Sequence, residues 1–251
     1  MGTDEEKEEP LRLDQVLVSL GYAKSRERAK TLIKEGGVFV NGKKATKASL
    51  KCVKGSEIKV KTKDIPWVSR GGLKMEKALD TWPIDVADKV CLDIGASTGG
   101  FTEVLLQKGA KKVYALDVGR DQLDEKLRFD TRVVVIEEKN IRDTTGEIFA
   151  ESIDIITVDV SFISLSHVLP KVSEFLKEGG EAVVLVKPQF EVGKDRIKKG
   201  VVKDPVLHEE VIGDVKSNAV KEGLVPMDVI DSPIKGVGGN KEFLIYLKRG
   251  D

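Results

Sequence analysis

The stretch Cys91-Leu-Asp93-Ile-Gly95-Ala96-Ser97-Thr-Gly99-Gly100-Phe101 carries the densest chemical meaning in the chain. An apolar strand, Val90-Cys91-Leu92, runs into the carboxylate of Asp93, then a glycine turn, then an apolar helix pattern from Phe101. A strand, turn and helix in this order open a nucleotide-type cofactor site in α/β proteins. The glycine spacing departs from the dinucleotide fingerprint GxGxxG, and Asp93 stands where it would repel a pyrophosphate. An acid there suits a ligand with a positive charge or an amino group; the alternative is that Asp93 caps the helix. Asp117 ends the next strand, where a carboxylate can accept from both hydroxyls of a ribose, the alternative being a solvated strand end. Asp-x-Gly-x-x-x-Gly-Gly with a second acid 24 residues on fits S-adenosylmethionine better than a nicotinamide nucleotide. The candidate cofactor residues are Asp93, Gly95, Ala96, Ser97, Gly99, Gly100, Phe101, Asp117 and Asn140.

The acceptor side is read from charges at strand ends. Lys187 follows the apolar run Ala182-Val-Val-Leu-Val, an uncommon place for a long charged side chain. Asp159 ends one strand and Glu242 begins another, and strand ends of an open parallel sheet converge on the ligand crevice. Neither cysteine is placed as the nucleophile that cytosine-C5 methylation needs: Cys91 lies inside a strand and Cys52 in the N-terminal part. The loop Asp159-Val-Ser-Phe-Ile-Ser lacks the proline pair common in amino-group methylation. The chain offers lysine instead, and a neutral lysine can take a proton from a hydroxyl. The alternative for Lys187 is a lysine that binds phosphate or sits in a salt bridge. Lys74, in a short helix over 73–79, could be a plain surface lysine.

Strand-like runs at 89–93, 112–117, 132–136, 153–159, 181–187, about 225–230 and 242–247 alternate with helical patterns. That alternation predicts a mainly parallel sheet covered on both faces. Ahead of it lies a smaller α+β unit. Leu11, Leu13, Val16, Leu17 and Leu20 predict a first helix stopped by Gly21, and Ser25 an N-cap for a second through Glu35. Val38–Val40, Asn41-Gly42 and Lys43–Ala45 predict a type I′ hairpin, with 57–60 as a closing strand. Residues 11–63 hold fourteen Lys/Arg against four Asp/Glu in a chain of zero net charge, an asymmetry that points to nucleic acid.

Two strings carry family resemblances. Arg12-Leu-Asp-Gln-Val-Leu and Ser25-Arg-Glu-Arg-Ala-Lys-Thr-Leu-Ile-Lys-Glu-Gly-Gly-Val-Phe-Val-Asn-Gly-Lys resemble the S4 RNA-binding domain. That resemblance implies a basic face set against structured RNA, with Arg12, Lys24, Arg26, Arg28, Lys30, Lys34, Lys43 and Lys44, and Arg70 further on, as candidate contacts. Lys74, Asp159, Lys187 and Glu242 match the Lys-Asp-Lys-Glu tetrad of FtsJ-like RNA 2′-O-methyltransferases. Val68-Ser-Arg-Gly-Gly-Leu-Lys, Asp93–Leu106, Asp159-Val-Ser-Phe-Ile-Ser-Leu and Val186-Lys-Pro-Gln-Phe-Glu-Val-Gly-Lys are closer still to the haemolysin-A-like (TlyA) branch. The resemblance implies a Rossmann-like S-adenosylmethionine-dependent methyltransferase sheet behind a small S4 domain, acting on cytidine ribose in ribosomal RNA. It also implies Lys187 as general base, with Asp159 and Glu242 orienting the lysines. Burial and a neighbouring cation lower a lysine's pKa, and neighbouring carboxylates oppose that shift.

The expected organisation is an acidic disordered tail at 1–10, an S4-like domain at 11–60, a linker at 61–67 and a methyltransferase domain at 68–251. Two distant cysteines make no disulfide framework, which suits a reducing cytoplasm. No apolar run reaches membrane-span length, the N-terminus lacks a signal-peptide layout, and His167 and His208 show no metal spacing. Phe190–Val202, with Gly193, Lys194, Lys198, Lys199 and Gly200, reads as either a lid or a disordered loop. A membrane-damaging cytolysin and an RNA-binding protein with an inactive enzyme fold are the competing functions.

Overall fold

The computed structural model describes residues 10–23, 25–34, 36–53, 55–61, 65–193, 196–197 and 200–250. The proposed tail, apart from Pro10, lies outside them, as do Lys24, Lys194, Lys198 and Lys199. The chain divides after Pro66 into two compact units.

In the first unit, β1 (Leu11–Arg12) leads into α1 (Leu13–Ser19), followed by α2 (Arg26–Lys34), β2 (Val38–Val40), β3 (Lys43–Lys44), β4 (Lys51–Cys52) and β5 (Ile58–Val60). The first helix is shorter than its leucine pattern suggests. Leu11 pairs with Cys52 across β1 and β4, and Leu11 and Leu20 are both more than half exposed. Leu13 and Leu17 face the core, with Ala29, Leu32, Ile33 and Val38. Ser25 Oγ accepts from the Arg28 N–H at 3.1 Å and caps α2. Asn41 and Gly42 take φ of 49° and 76°, the left-handed pair that a type I′ turn requires, and close β2 onto β3.

The second unit opens with α3 (Gly71–Thr81) and continues with β6 (Val90–Ile94), α4 (Gly100–Gln107), β7 (Lys112–Leu116), α5 (Glu125–Arg128), β8 (Val133–Ile136) and β9 (Ile153–Val158). It ends with α6 (Leu169–Phe175), β10 (Leu176–Val186), α7 (Pro188–Glu191), α8 (Pro205–Lys221), β11 (Leu224–Asp231) and β12 (Phe243–Arg249). Trp67, placed with the linker by the sequence, is buried in this unit's core. The seven strands lie in the order β11-β12-β10-β9-β6-β7-β8. Adjacent pairs from β10 to β8 are parallel, and β12 runs antiparallel to both of its neighbours. Separate apolar clusters include Leu92, Ile156 and Val184 in one and Cys91, Ile155 and Val183 in the other, as alternation along strands covered on both faces demands.

Candidate active site

The reversal of β12 assembles the site. Val186 of β10 pairs with Phe243 of β12, so the beginning of β12 meets the carboxyl ends of the parallel strands. Glu242 therefore lies close to Lys187, and Asp159 follows β9 one strand away. Lys74 joins them from α3. Its ammonium donates to Glu242 Oε2 at 2.8 Å and reaches Asp159 Oδ2 at 3.5 Å. Lys187 Nζ lies 2.6 Å from Asp159 Oδ1 and donates to Ser161 Oγ at 2.9 Å. The charges form one chain, Glu242–Lys74–Asp159–Lys187, ending on the Ser161 hydroxyl.

This chain sits in little water: Lys74 is 7% exposed, Lys187 8% and Glu242 3%. Two cations and two anions balance there, the condition under which charges tolerate burial. Burial alone would push the Asp159 carboxyl up, but the ammonium groups of Lys74 and Lys187 outweigh it and hold the pKa below the ordinary carboxylate value. Gly236 packs directly on the Glu242 carboxylate, where any Cβ would overlap Oε1.

Beside Asp159 opens a cavity of about 460 Å³, within the range of small-molecule sites. Gly95, Ser97, Asp117, Val118, Asn140, Ser161 and Phe162 are among its walls. The Asp117 carboxylate is held by two backbone donors, Ser97 N–H at 2.8 Å and Gly119 N–H at 2.7 Å. Gly95 has φ of 85°, and a Cβ there would stand 2.5 Å from the Asp159 carbonyl oxygen, so only glycine lets β6 and β9 close at this point. Asn140 accepts from the Arg142 N–H at 3.1 Å. An oriented carboxylate beside a glycine-floored cavity, with a second carboxylate at its inner edge, fits S-adenosylmethionine.

The remaining cofactor candidates do not line that cavity. Gly99 and Gly100 serve packing: a Cβ on Gly99 would overlap Leu127, and one on Gly100 would overlap Ser69. Ala96 and Phe101 are buried in the apolar core. Asp93 is fully buried and faces inward. Its Oδ2 accepts from the backbone N–H and hydroxyl of Thr102, at 3.0 and 2.7 Å, and its Oδ1 accepts from the Thr157 hydroxyl at 2.9 Å. These bonds give Asp93 the capping contacts that the sequence offered as the alternative. Asp93 ties the start of α4 to β9.

Burial pushes the Asp93 carboxyl up to about 6 from 3.8, although the threonine bonds pull the other way. The folded state therefore binds more protons than the unfolded state between these values, and stability falls as pH rises through that window. Asp93→Asn lacks this titration. The stability difference, variant minus wild type, is expected to rise by roughly 2–3 kcal/mol between pH 4 and 7 in urea unfolding. A pH-independent difference would refute the buried carboxyl.

Comparison with known proteins decides the family. The model for the FtsJ-like methyltransferases matches residues 67–249, and that for the S4 domain matches residues 11–58. The chain belongs to the FtsJ-like methyltransferase family. Within it, the TlyA branch is shown by two relatives. The 16S/23S rRNA (cytidine-2′-O)-methyltransferase TlyA of Mycobacterium tuberculosis is 43% identical over 239 residues, 94% of this chain and 89% of that one. Hemolysin A of Brachyspira hyodysenteriae is 44% identical over 238 residues, 94% and 99% of the two chains. A solved Streptococcus thermophilus structure, provisionally named a hemolysin, superposes with a TM-score of 0.77 at 43% identity over 97% of this chain and 90% of that one.

The S4 segment of this FtsJ-like methyltransferase carries an organisation its charge pattern did not suggest. Asp14 is fully buried and bridges two candidate RNA contacts, with Arg12 Nε at 3.0 Å and an Arg26 terminal nitrogen at 3.1 Å. The bond from Arg12, then that from Arg26, hold its carboxyl down at about 2 against the opposing effect of burial. Arg12 and Arg26 are thus fixed side by side rather than swinging freely from a helix face. Lys30, Lys43 and Lys44 are exposed, and the side chain of Lys34 lies outside the described residues. Arg70, at the start of α3, donates to the Lys235 carbonyl at 3.2 Å.

Ser161 and Phe162 are site residues that the sequence reading missed. Both follow Asp159 closely in the chain, but nothing in their residue types marks them. Phe162 has φ of 65°, is 90% exposed and lies 5.1 Å from the Phe190 ring. Within 190–202, Arg196 pairs with Glu210. Among the described residues no cluster of metal ligands occurs, and His208 is buried against the Val202 carbonyl.

Proposed function

We propose that this protein methylates the 2′-hydroxyl of a cytidine ribose in ribosomal RNA, in the cytoplasm, with S-adenosylmethionine as donor. The observation that carries the proposal is the contact of the Lys74–Asp159–Lys187–Glu242 chain with the cavity through Asp159. When bound, S-adenosylmethionine would supply an electrophilic methyl group, its methyl–sulfur bond breaking to leave a neutral thioether. The chain's own residues must then hold the acceptor and remove its proton. A ribose hydroxyl is a weak nucleophile until its O–H bond starts to break. Lys187, once its resting ammonium has given up a proton to solvent, accepts the hydroxyl proton on Nζ while the oxygen attacks. The new ammonium is stabilised at once by Asp159, 2.6 Å away. Lys74 faces two carboxylates and remains the cation that holds Asp159 and Glu242 in place. Much of the rate comes from aligning the hydroxyl oxygen with the methyl carbon.

The names of the relatives support the substrate: TlyA is an rRNA (cytidine-2′-O)-methyltransferase. The S4 segment supplies cationic groups for phosphate contact, which positions RNA without reading its bases. Two buried free cysteines accord with a reducing compartment. The cytolysin reading gains nothing from the fold, since among the described residues no helix is long and apolar enough to cross a membrane. The test is methyl transfer from labelled S-adenosylmethionine to unmodified ribosomal subunits, with the product mapped by mass spectrometry. 2′-O-methylcytidine in ribosomal RNA is expected. Base methylation, or transfer only to non-ribosomal RNA, would overturn the substrate.

A further inference from the structure

We infer that Ser161 is a positioning residue for the base of the reaction, setting the direction in which the Lys187 amine meets the ribose hydroxyl. The inference rests on the proposed function and deepens it. A neutral amine has two N–H donors and one lone pair, arranged tetrahedrally. Lys187 Nζ has two acceptors beside it, Asp159 Oδ1 at 2.6 Å and Ser161 Oγ at 2.9 Å. With one N–H on each, the lone pair is left in a fixed remaining direction, and a base so oriented needs no reorganisation as the proton arrives. The partners of the two lysines differ in kind. Lys74 has two carboxylates, which suit a permanent ammonium. Lys187 has one carboxylate and one neutral hydroxyl, partners that a neutral amine also keeps.

Ser161 needs support, because its loop is exposed. Glu191 provides it from the end of α7, the helix that starts directly after Lys187. One Glu191 oxygen accepts from the Ser164 hydroxyl at 2.7 Å and the other from the Leu165 N–H at 3.0 Å. The loop after Asp159 is therefore fastened at two points to the segment that carries Lys187. A shift of the loop would carry the Ser161 oxygen away from the amine.

The test is single-turnover methyl transfer by Ser161→Ala, Ser161→Thr and Lys187→Ala, with rates followed across pH 6.5–9.5. Ser161→Ala is expected to lower kcat about 10- to 100-fold, the cost of a misdirected reacting group, with KM for rRNA within about twofold of wild type. Its pH–rate profile is displaced from that of wild type, because a bond to the titrating amine is gone. Ser161→Thr retains the oxygen and is expected to recover most of the rate and the original profile. A Ser161→Ala enzyme with wild-type kcat and profile, or a Ser161→Thr enzyme as slow as the alanine variant, would overturn the inference. If Lys187→Ala is inactive in the same assay, the assignment of the base survives that failure. An active Lys187→Ala enzyme would overturn both.

Discussion

Lys187→Ala is expected to reduce methyl transfer by about 10²- to 10⁴-fold, the usual contribution of a positioned general base. Affinity for S-adenosylmethionine is expected to remain within about twofold, because Lys187 is not among the residues that wall the cofactor cavity. Single-turnover transfer and calorimetry separate the two effects. The sharper comparison is Lys187→Arg. Arginine keeps the positive charge and can still pair with Asp159, but its guanidinium does not give up a proton in a protein. If Lys187 acts as a base, the arginine variant is as inactive as the alanine variant. If Lys187 serves only to hold a phosphate or to pair with Asp159, Lys187→Arg retains most of the activity. The alternative that the sequence left open for this residue thus yields the opposite outcome.

The fold was largely legible because its signals are local. Asn41-Gly42 announces its hairpin through two residues that tolerate positive φ, and the strands from β6 to β12 announce themselves as apolar runs between polar segments. Asp159, Lys187 and Glu242 stood out because charge at the end of an apolar strand is uncommon, whereas Lys74 entered only through the family resemblance. What escaped depends on the neighbour across the fold. Asp93 meets the helix end at Thr102 through Oδ2, and its other oxygen is taken by Thr157, 64 residues further on. Gly99 and Gly100 looked like cofactor glycines, but the atoms that exclude a side chain there come from Leu127 and Ser69. Arg12 and Arg26 read as two independent charges until Asp14, buried between them, joins them. Ser161 could not be singled out at all, since a serine in a loop acquires meaning only when an amine from another strand reaches it.

The second large effect concerns what the buried charges cost. Glu242→Ala is expected to destabilise the methyltransferase unit by about 3–5 kcal/mol, because it leaves the Lys74 ammonium buried with its nearest partner removed. For a unit of this size that lowers the unfolding midpoint by about 10 °C or more. Trp67 and Trp82, the chain's two tryptophans, both lie in this unit, so their fluorescence reports its unfolding separately from the S4 segment. Replacing the pair together, as Lys74→Met with Glu242→Leu, is expected to restore wild-type stability or better. Well-packed apolar side chains of similar volume usually equal or outperform a buried ion pair once no charge is stranded. The double variant should nevertheless transfer methyl at least about 100-fold more slowly, since Lys74 no longer holds Asp159 in place beside Lys187. A stable, inactive double variant beside an unstable single variant means that the chain of charges is kept for catalysis rather than for folding. A double variant as unstable as Glu242→Ala would mean that the four residues hold the strand ends together, and that their chemistry is secondary.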